Sequence, residues 1–204
     1  MGWLQFFGQL FYSQMFVQIS PPTGDFSGQT VIVTGSNSGL GYEAVKHLLR
    51  LKASKVIIAV RSLTKGEAAA ESLLSSTGAT DNVIEVWPLD LSDHASVTTF
   101  SARVNELDRL DAAIMNAGIL TQQWRVVDGM ELQLAVNVVN TTLLGLLLLP
   151  KLRASAKQYH TRGRFAFVSS DAHYVAQVNE ANEPGSLFDA LNNKDVSNMV
   201  DRYV

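Results

Sequence analysis

From residue 30 onward, short apolar runs rich in β-branched residues alternate with longer stretches whose apolar positions recur at helical spacing. The short runs predict strands over Thr30–Thr34, Lys55–Val60, Val83–Trp87, Asp111–Met115 and Arg164–Ser169. The longer stretches predict helices near 40–51, 63–75, 94–107 and 129–156, with a shorter one around Leu187–Leu191. Five strands joined by four helical crossovers predict an α/β fold with a doubly wound parallel sheet. In such a sheet the ligand crevice lies at the carboxyl ends of the strands, where the strand order reverses beside the first strand. Function is therefore expected in the residues just after each strand.

Two stretches without charge stand apart from this alternation. Residues 1–24 contain no Asp, Glu, Lys or Arg and hold six of the 17 aromatic residues: Trp3, Phe6, Phe7, Phe11, Tyr12 and Phe16. Gln5, Gln9, Ser13, Gln14 and Gln18 interrupt every apolar run, which suits neither a signal peptide nor a spanning helix. Helical spacing of Trp3, Phe6, Phe7 and Leu10 predicts an amphipathic helix lying on the body of the protein or on a membrane surface. Pro21-Pro22 closes this segment, leaving residues 25–204 as one domain. The second stretch, Leu132–Pro150, is long enough to cross a bilayer, but Asn137, Asn140, Thr141 and Thr142 sit at its centre. Hydrocarbon would leave those groups without partners, so a helix buried against the sheet is expected.

Composition narrows the function classes. The 204 residues are 47% hydrophobic and 17% charged with a net charge of −3, enough for one packed core and too acidic for a nucleic-acid partner. The absence of cysteine excludes disulfides, thiolate metal sites and a cysteine nucleophile. His47, His94, His160 and His173 lack metal-ligand spacing, so no metal is expected. A cytoplasmic setting is expected, with membrane association through residues 1–19 as the open alternative.

The first predicted strand runs into Thr34-Gly35-Ser36-Asn37-Ser38-Gly39-Leu40-Gly41 and then a helix. Glycines there allow a tight turn and close approach to a pyrophosphate, whose charge meets free amides at the helix N-terminus. No Lys-Ser/Thr pair follows, which argues against a P-loop hydrolase. After the second strand comes Arg61, with Lys65 one helical turn later. An acidic residue there would bond a ribose 2′-hydroxyl, whereas a guanidinium suits a 2′-phosphate, so NADP is favoured over NAD. Lys65 by itself reads equally as a solvated helix residue.

The Thr-Gly-x3-Gly-x-Gly turn resembles that of the short-chain dehydrogenase/reductase family, a Rossmann-fold family. Further stations match: Asp90-Leu91, Asn116-Ala117-Gly118, Asn137 on the long helix and Ser169-Ser170 at the end of the fifth strand. Asp25-Phe26-Ser27-Gly28-Gln29-Thr30 and Arg61-Ser62 resemble fungal, retinol-dehydrogenase-like members. The resemblance implies that Gly35, Asn37, Ser38, Gly39, Leu40, Gly41, Arg61, Lys65, Asp90, Asn116, Gly118 and Tyr203 bind the cofactor. Asp90 would bond the adenine amino group, and Asn116 and Gly118 would shape the floor under the adenine ribose. It also implies that Ser170 polarises a substrate carbonyl, Tyr203 acts as general acid/base and Asn137 anchors a relay water. Read from the residues alone, Asp90 could be a helix cap, Ser170 a strand-end hydroxyl and Asn137 part of a polar pair between helices.

The family places a lysine four residues after the tyrosine, and position 207 lies beyond Val204. The expectation is a fold truncated after the fifth strand, with the long helix exposed and a homo-oligomer weakened. The implied activity is hydride transfer between NADP(H) and a ketone or alcohol of a small apolar metabolite, in fungal secondary metabolism. The alternative is a catalytically inactive NADP-binding remnant. An extended-family epimerase fits less well, because such proteins carry Gly-x-x-Gly-x-x-Gly.

Overall fold

The computed structural model describes residues 3–174 and 176–199. An N-terminal helix α1 (Trp3–Phe16) precedes the alternating body. That body runs β1 (Thr30–Thr34), α2 (Gly39–Arg50), β2 (Lys55–Val60), α3 (Leu63–Thr77), β3 (Ile84–Pro88), α4 (His94–Asn105) and β4 (Ala112–Met115). A two-stranded hairpin, β5 (Val126–Val127) and β6 (Met130–Glu131), leads into a π-helical stretch Leu134–Asn140, α5 (Thr141–Gln158) and β7 (Arg164–Phe167). Short 3-10 turns at Asp171–Tyr174 and Asn179–Asn182 and the one-turn α6 (Leu187–Leu191) complete the described chain.

The five main strands pair in parallel in the order β3-β2-β1-β4-β7. Val31 lies between Val56 and Ala112, and Val33 between Ile58 and Ile114. Alternation along the strands sends Val31, Val33, Val56 and Ile58 to one face, where Val45 and Leu48 of α2 and Leu73 of α3 cover them. Ile32, Ile57, Ala113 and Met115 go to the other face, under Val97 and Phe100 of α4 and Leu144 and Leu148 of α5. Each of these Val, Leu, Ile, Met or Phe side chains, fully withdrawn from water, contributes about 1.5–3 kcal/mol before chain entropy is counted. Burial on both faces explains why these strands read as continuous apolar runs.

Most predicted elements lie within one or two residues of their expected bounds, and the strand expected to reach Ser169 ends at Phe167. One prediction needs correction: 129–156 is not a single helix. Asp128 and Gly129, with φ of 49° and 76°, turn a hairpin, the Asp-Gly signal of a tight β-turn. The buried Glu131 carboxylate then accepts the amides of Gln133 and Leu134 and starts the helix. Thr141 Oγ1 donates to the Val136 carbonyl five residues back, in step with the π geometry. The helical run Leu134–Gln158 is long and apolar enough to cross a membrane, yet its inner side packs on the sheet and α4. Its central polar groups find partners inside the protein: Asn137 on Ile119, Asn140 on the Leu91 carbonyl and Thr141 on Val136. Leu146 and Val138 on its outer side are exposed.

The expected N-terminal helix is present, and among its described side chains one edge meets the domain. Phe6 is buried, and a cleft of about 140 Å³ between Leu10, Ser13, Asp171 and Tyr174 marks the contact. Leu4, Phe11, Tyr12, Met15 and Phe16 are exposed.

The amino ends of the strands are held by one buried carboxylate. Asp111 accepts the Thr30 amide at 2.9 Å and the Arg109 Nε at 2.7 Å, while Arg109 lies over the Tyr159 ring. Farther out, Lys55 at 2.6 Å holds the Glu85 carboxyl below the ordinary glutamate range, and the Trp87 indole adds to this against the opposing effect of desolvation. Asp111→Ala is expected to lower stability by about 2–4 kcal/mol in urea unfolding, because it orphans a buried amide and a half-buried guanidinium together. A loss below about 1 kcal/mol would show that the carboxylate is not the anchor.

Candidate functional site

The turn after β1 is shaped by close contacts as much as by its glycines. At Gly35, φ is 65° and an added Cβ would lie 2.8 Å from the Ala117 Cα, so only glycine fits. At Gly41, a Cβ would meet the Asn116 amide at 2.5 Å and the Gly35 carbonyl at 2.9 Å. Gly39, at the first position of α2, faces open space instead. Ser38 stands at the N-cap but contributes no side-chain cap, so the first-turn amides are left for an acceptor from outside the helix.

Asn116 locks this turn to the end of β4. Thr34 Oγ1 accepts the Asn116 and Ala117 amides at 3.0 and 2.9 Å, and Asn116 Nδ2 donates to the Thr34 and Gly35 carbonyls at 3.0 and 3.3 Å. The strand order reverses between β1 and β4, and a crevice of about 520 Å³ opens there at the carboxyl ends. Gly35, Asn37, Arg61, Asp90, Gly118 and Arg125 line it. A second cleft, of about 310 Å³, is lined by Leu40, Asn116, Gly118, Asn137, Ser169 and Ser170. Gly118 belongs to both, so the two clefts meet at the loop after β4.

Several expected residues are thereby gathered, and others are not. Asp90 lines the first crevice with its Oδ1 accepting the Ser92 amide and hydroxyl at 2.9 and 2.7 Å. The capping reading passes to Asp93, whose side chain accepts the Ala95 amide at the start of α4. Lys65 stands off the crevice, on the first turn of α3, where its backbone amide donates to the capping Ser62 hydroxyl. Asn137 spends both ends of its amide on Ile119, accepting its N–H and donating to its carbonyl, each at 2.9 Å. It pairs with a loop rather than with another helix, and so positions the backbone that joins the two clefts. The Ser170 carbonyl accepts His173 N–H at 3.4 Å and lies 2.6 Å from the ring Nδ1. Tyr203 lies outside the described residues. Arg125 was not anticipated: it lies in a polar loop with no motif around it, and only the fold carries it to the crevice.

A doubly wound parallel sheet with a glycine turn at its switch point defines a protein of the nucleotide-binding Rossmann class. Within that class, residues 29–182 match the short chain dehydrogenase family, and the chain belongs to it. It is 45% identical over 185 residues to the short chain dehydrogenase/reductase dmxR8 of Cryptosporiopsis sp. (strain 8999), covering 90% of this chain and 57% of that protein. It is also 45% identical over 192 residues to the short-chain dehydrogenase anuD of Penicillium roqueforti (strain FM164), covering 94% of this chain and 50% of that protein. The chain thus spans about half the length of these curated relatives. Among solved structures, the Pseudomonas aeruginosa RhlG/NADP active-site complex superposes with a TM-score of 0.61 at 28% identity, covering 76% of this chain and 59% of that one. Membership makes the chain one of a family of oxidoreductases that bind a nicotinamide cofactor.

The Asn137 pair gives this region a direct test. Asn137→Ala should cost about 1–3 kcal/mol of stability and speed hydrogen exchange at the Ile119 amide, leaving the amides of β1 protected. Unchanged exchange at Ile119 would show that the loop holds its place without the side chain.

Proposed function

We propose that this chain carries the cofactor-binding half of an NADP(H)-dependent ketone/alcohol oxidoreductase acting on a small apolar metabolite. Arg61 carries the reading. It is the first residue past β2 and lines the crevice with Asn37 and Asp90, at the place in the sequence where an NAD site would carry an acidic residue. A guanidinium there suits a 2′-phosphate bidentately, where an NAD site would present a carboxylate to the 2′-hydroxyl. The open space over Gly39 and the first-turn amides of α2 fit a pyrophosphate. The crevice volume also falls in the range of small-molecule sites.

When bound, the nicotinamide supplies or accepts the hydride. Reduction builds negative charge on the carbonyl oxygen, and the Ser170 hydroxyl is proposed to donate a hydrogen bond to it. Tyr203 is proposed as the group that delivers the proton. Asn137 acts at one remove, by holding the Ile119 backbone. Exposed Leu40, Val168 and Phe167 border the Ser170 cleft and favour an apolar substrate. A role in fungal secondary metabolism rests on resemblance to the retinol-dehydrogenase-like subgroup.

The test is a fluorescence titration with NADPH and NADH, followed by NADPH oxidation over a panel of aromatic and aliphatic ketones. Arg61→Asp should weaken NADPH by about tenfold or more, the value of one charge-assisted contact, and should leave NADH little changed. An unchanged NADPH/NADH preference would overturn the NADP assignment. Where turnover occurs, Ser170→Ala should reduce kcat by about 10²–10³-fold. Saturable binding without turnover across the panel would instead favour a non-catalytic NADP-binding protein.

A further inference from the structure

Every Asp, Glu, Lys and Arg of the chain lies beyond residue 24, while the α1 helix carries two apolar faces. Phe6, Leu10 and Ser13, at i, i+4 and i+7, form the edge seated by Asp171 and Tyr174. Leu4, Phe11 and Met15, at i, i+7 and i+11, form a second stripe on a different side. These are 93%, 63% and 63% exposed. Tyr12 and Phe16 stack with ring centroids 5.5 Å apart and widen the stripe, and exposed Val17 and Ile19 prolong it past the helix end. Water contact on so many large apolar groups in one segment marks a surface with an occupant.

We infer that this stripe seats the protein on the surface of an electrically neutral lipid bilayer, with α1 lying in the plane of the interface. Its composition selects that occupant. An anionic membrane or a charged protein partner is held through Lys, Arg, Asp or Glu, and the segment has none. Aromatic rings interleaved with Gln and Ser suit the headgroup boundary, where apolar bodies enter the acyl region and polar tips stay wet. A second copy seated on the same stripe is the rival occupant, and a lipid-free dimer is the outcome that would reveal it. Residues 17–24 form neither helix nor strand and link the seat toward β1 through Pro21-Pro22.

The other edge of α1 borders Asp171 and Tyr174, just past Ser170, so the bilayer would lie beside the Ser170 cleft. An apolar substrate dissolved in lipid would then reach the cleft without crossing bulk water. This last consequence rests on the oxidoreductase reading, whereas the seating does not.

The full chain is to be sedimented with phosphatidylcholine vesicles, with NADPH binding read in parallel samples. It should partition onto these vesicles and stay bound at high salt. Phe11→Gln combined with Met15→Gln should weaken partitioning by about tenfold or more, from the apolar area removed. Leu63→Gln, an exposed leucine at the start of α3, should have no effect. Phe11→Trp keeps the site apolar and should bind as the parent does, so a general loss of structure is told apart by it and by the far-ultraviolet spectrum. Three results would overturn the seating: no partitioning of the parent, binding that requires phosphatidylserine and disappears with salt, or a lipid-free dimer abolished by the double substitution. NADPH binding without vesicle binding would remove the seating and leave the cofactor reading intact; the converse would do the reverse.

Discussion

The site depends on the fastening between the ends of β1 and β4. Neighbouring parallel strands diverge as they leave a sheet, and at the switch point the helices that follow them depart to opposite faces. Without a tie, the glycine turn and the loop after β4 would be two independent surface segments. Thr34 and Asn116 supply the tie from both sides, the hydroxyl accepting two amides and the carboxamide donating to two carbonyls. Asn116 also fills the space that a side chain at Gly41 would need. Gly41 and Asn116 are therefore one requirement expressed at two places in the chain.

The tie extends outward in a chain of backbone-directed amides. Asn116 holds the turn, Asn137 holds Ile119, Gln133 exchanges two hydrogen bonds with the Thr121 backbone, and Asn140 holds the Leu91 carbonyl. Each carboxamide replaces the ladder partner that a loop lacks, and a half-buried loop without such partners would leave amides and carbonyls unsatisfied. This is why the apolar stretch 132–150 contains polar residues at its centre. It is also why this stretch is an internal helix: its polar groups are directed at neighbouring loops, while Leu144 and Leu148 enter the core. Stabilising roles concentrate at the opposite end of the sheet, where Asp111 joins Thr30, Arg109 and Thr161 far from the crevice. Rigidity at the amino ends and concavity at the carboxyl ends follow from the single polarity of a parallel sheet.

The parts of this arrangement legible in the sequence are those set by local rules. Strand periodicity, the glycine spacing and Arg61 after an apolar run each depend on neighbours in the chain, and each lies where the pattern indicates. What escaped depends on partners far away. The cap weighed for Asp90 is supplied by Asp93 instead, because the path of the chain into α4 brings its carboxylate to the Ala95 amide. The 129–156 pattern is helical throughout most of its length, so the hairpin was masked by the stronger signal after it, although Asp128-Gly129 carries its turn chemistry. Asn137 is a polar residue on a helix until Ile119 arrives from 18 positions away. Arg125 has no local signature at all, and Lys65 follows the helix away from the site that its spacing suggested.

The N-terminal helix obeys a different logic from the other elements. In α2 through α5 the apolar positions face one sheet, and the opposite side is polar or carries only isolated apolar residues. In α1 the described side chains lining the cleft against the domain are Phe6, Gln9, Leu10 and Ser13, while Leu4, Phe11, Tyr12, Met15 and Phe16 are exposed. A short helix gains little from propensity and is held chiefly by what its apolar face covers. Among the described side chains of α1 Phe6 is the one that is buried, and a medium that covers the outer stripe would stabilise the helix as it binds. Folding of this segment and its seating are then coupled, and its glutamines and serines fit that role, being polar enough to tolerate water and uncharged enough to enter an interface.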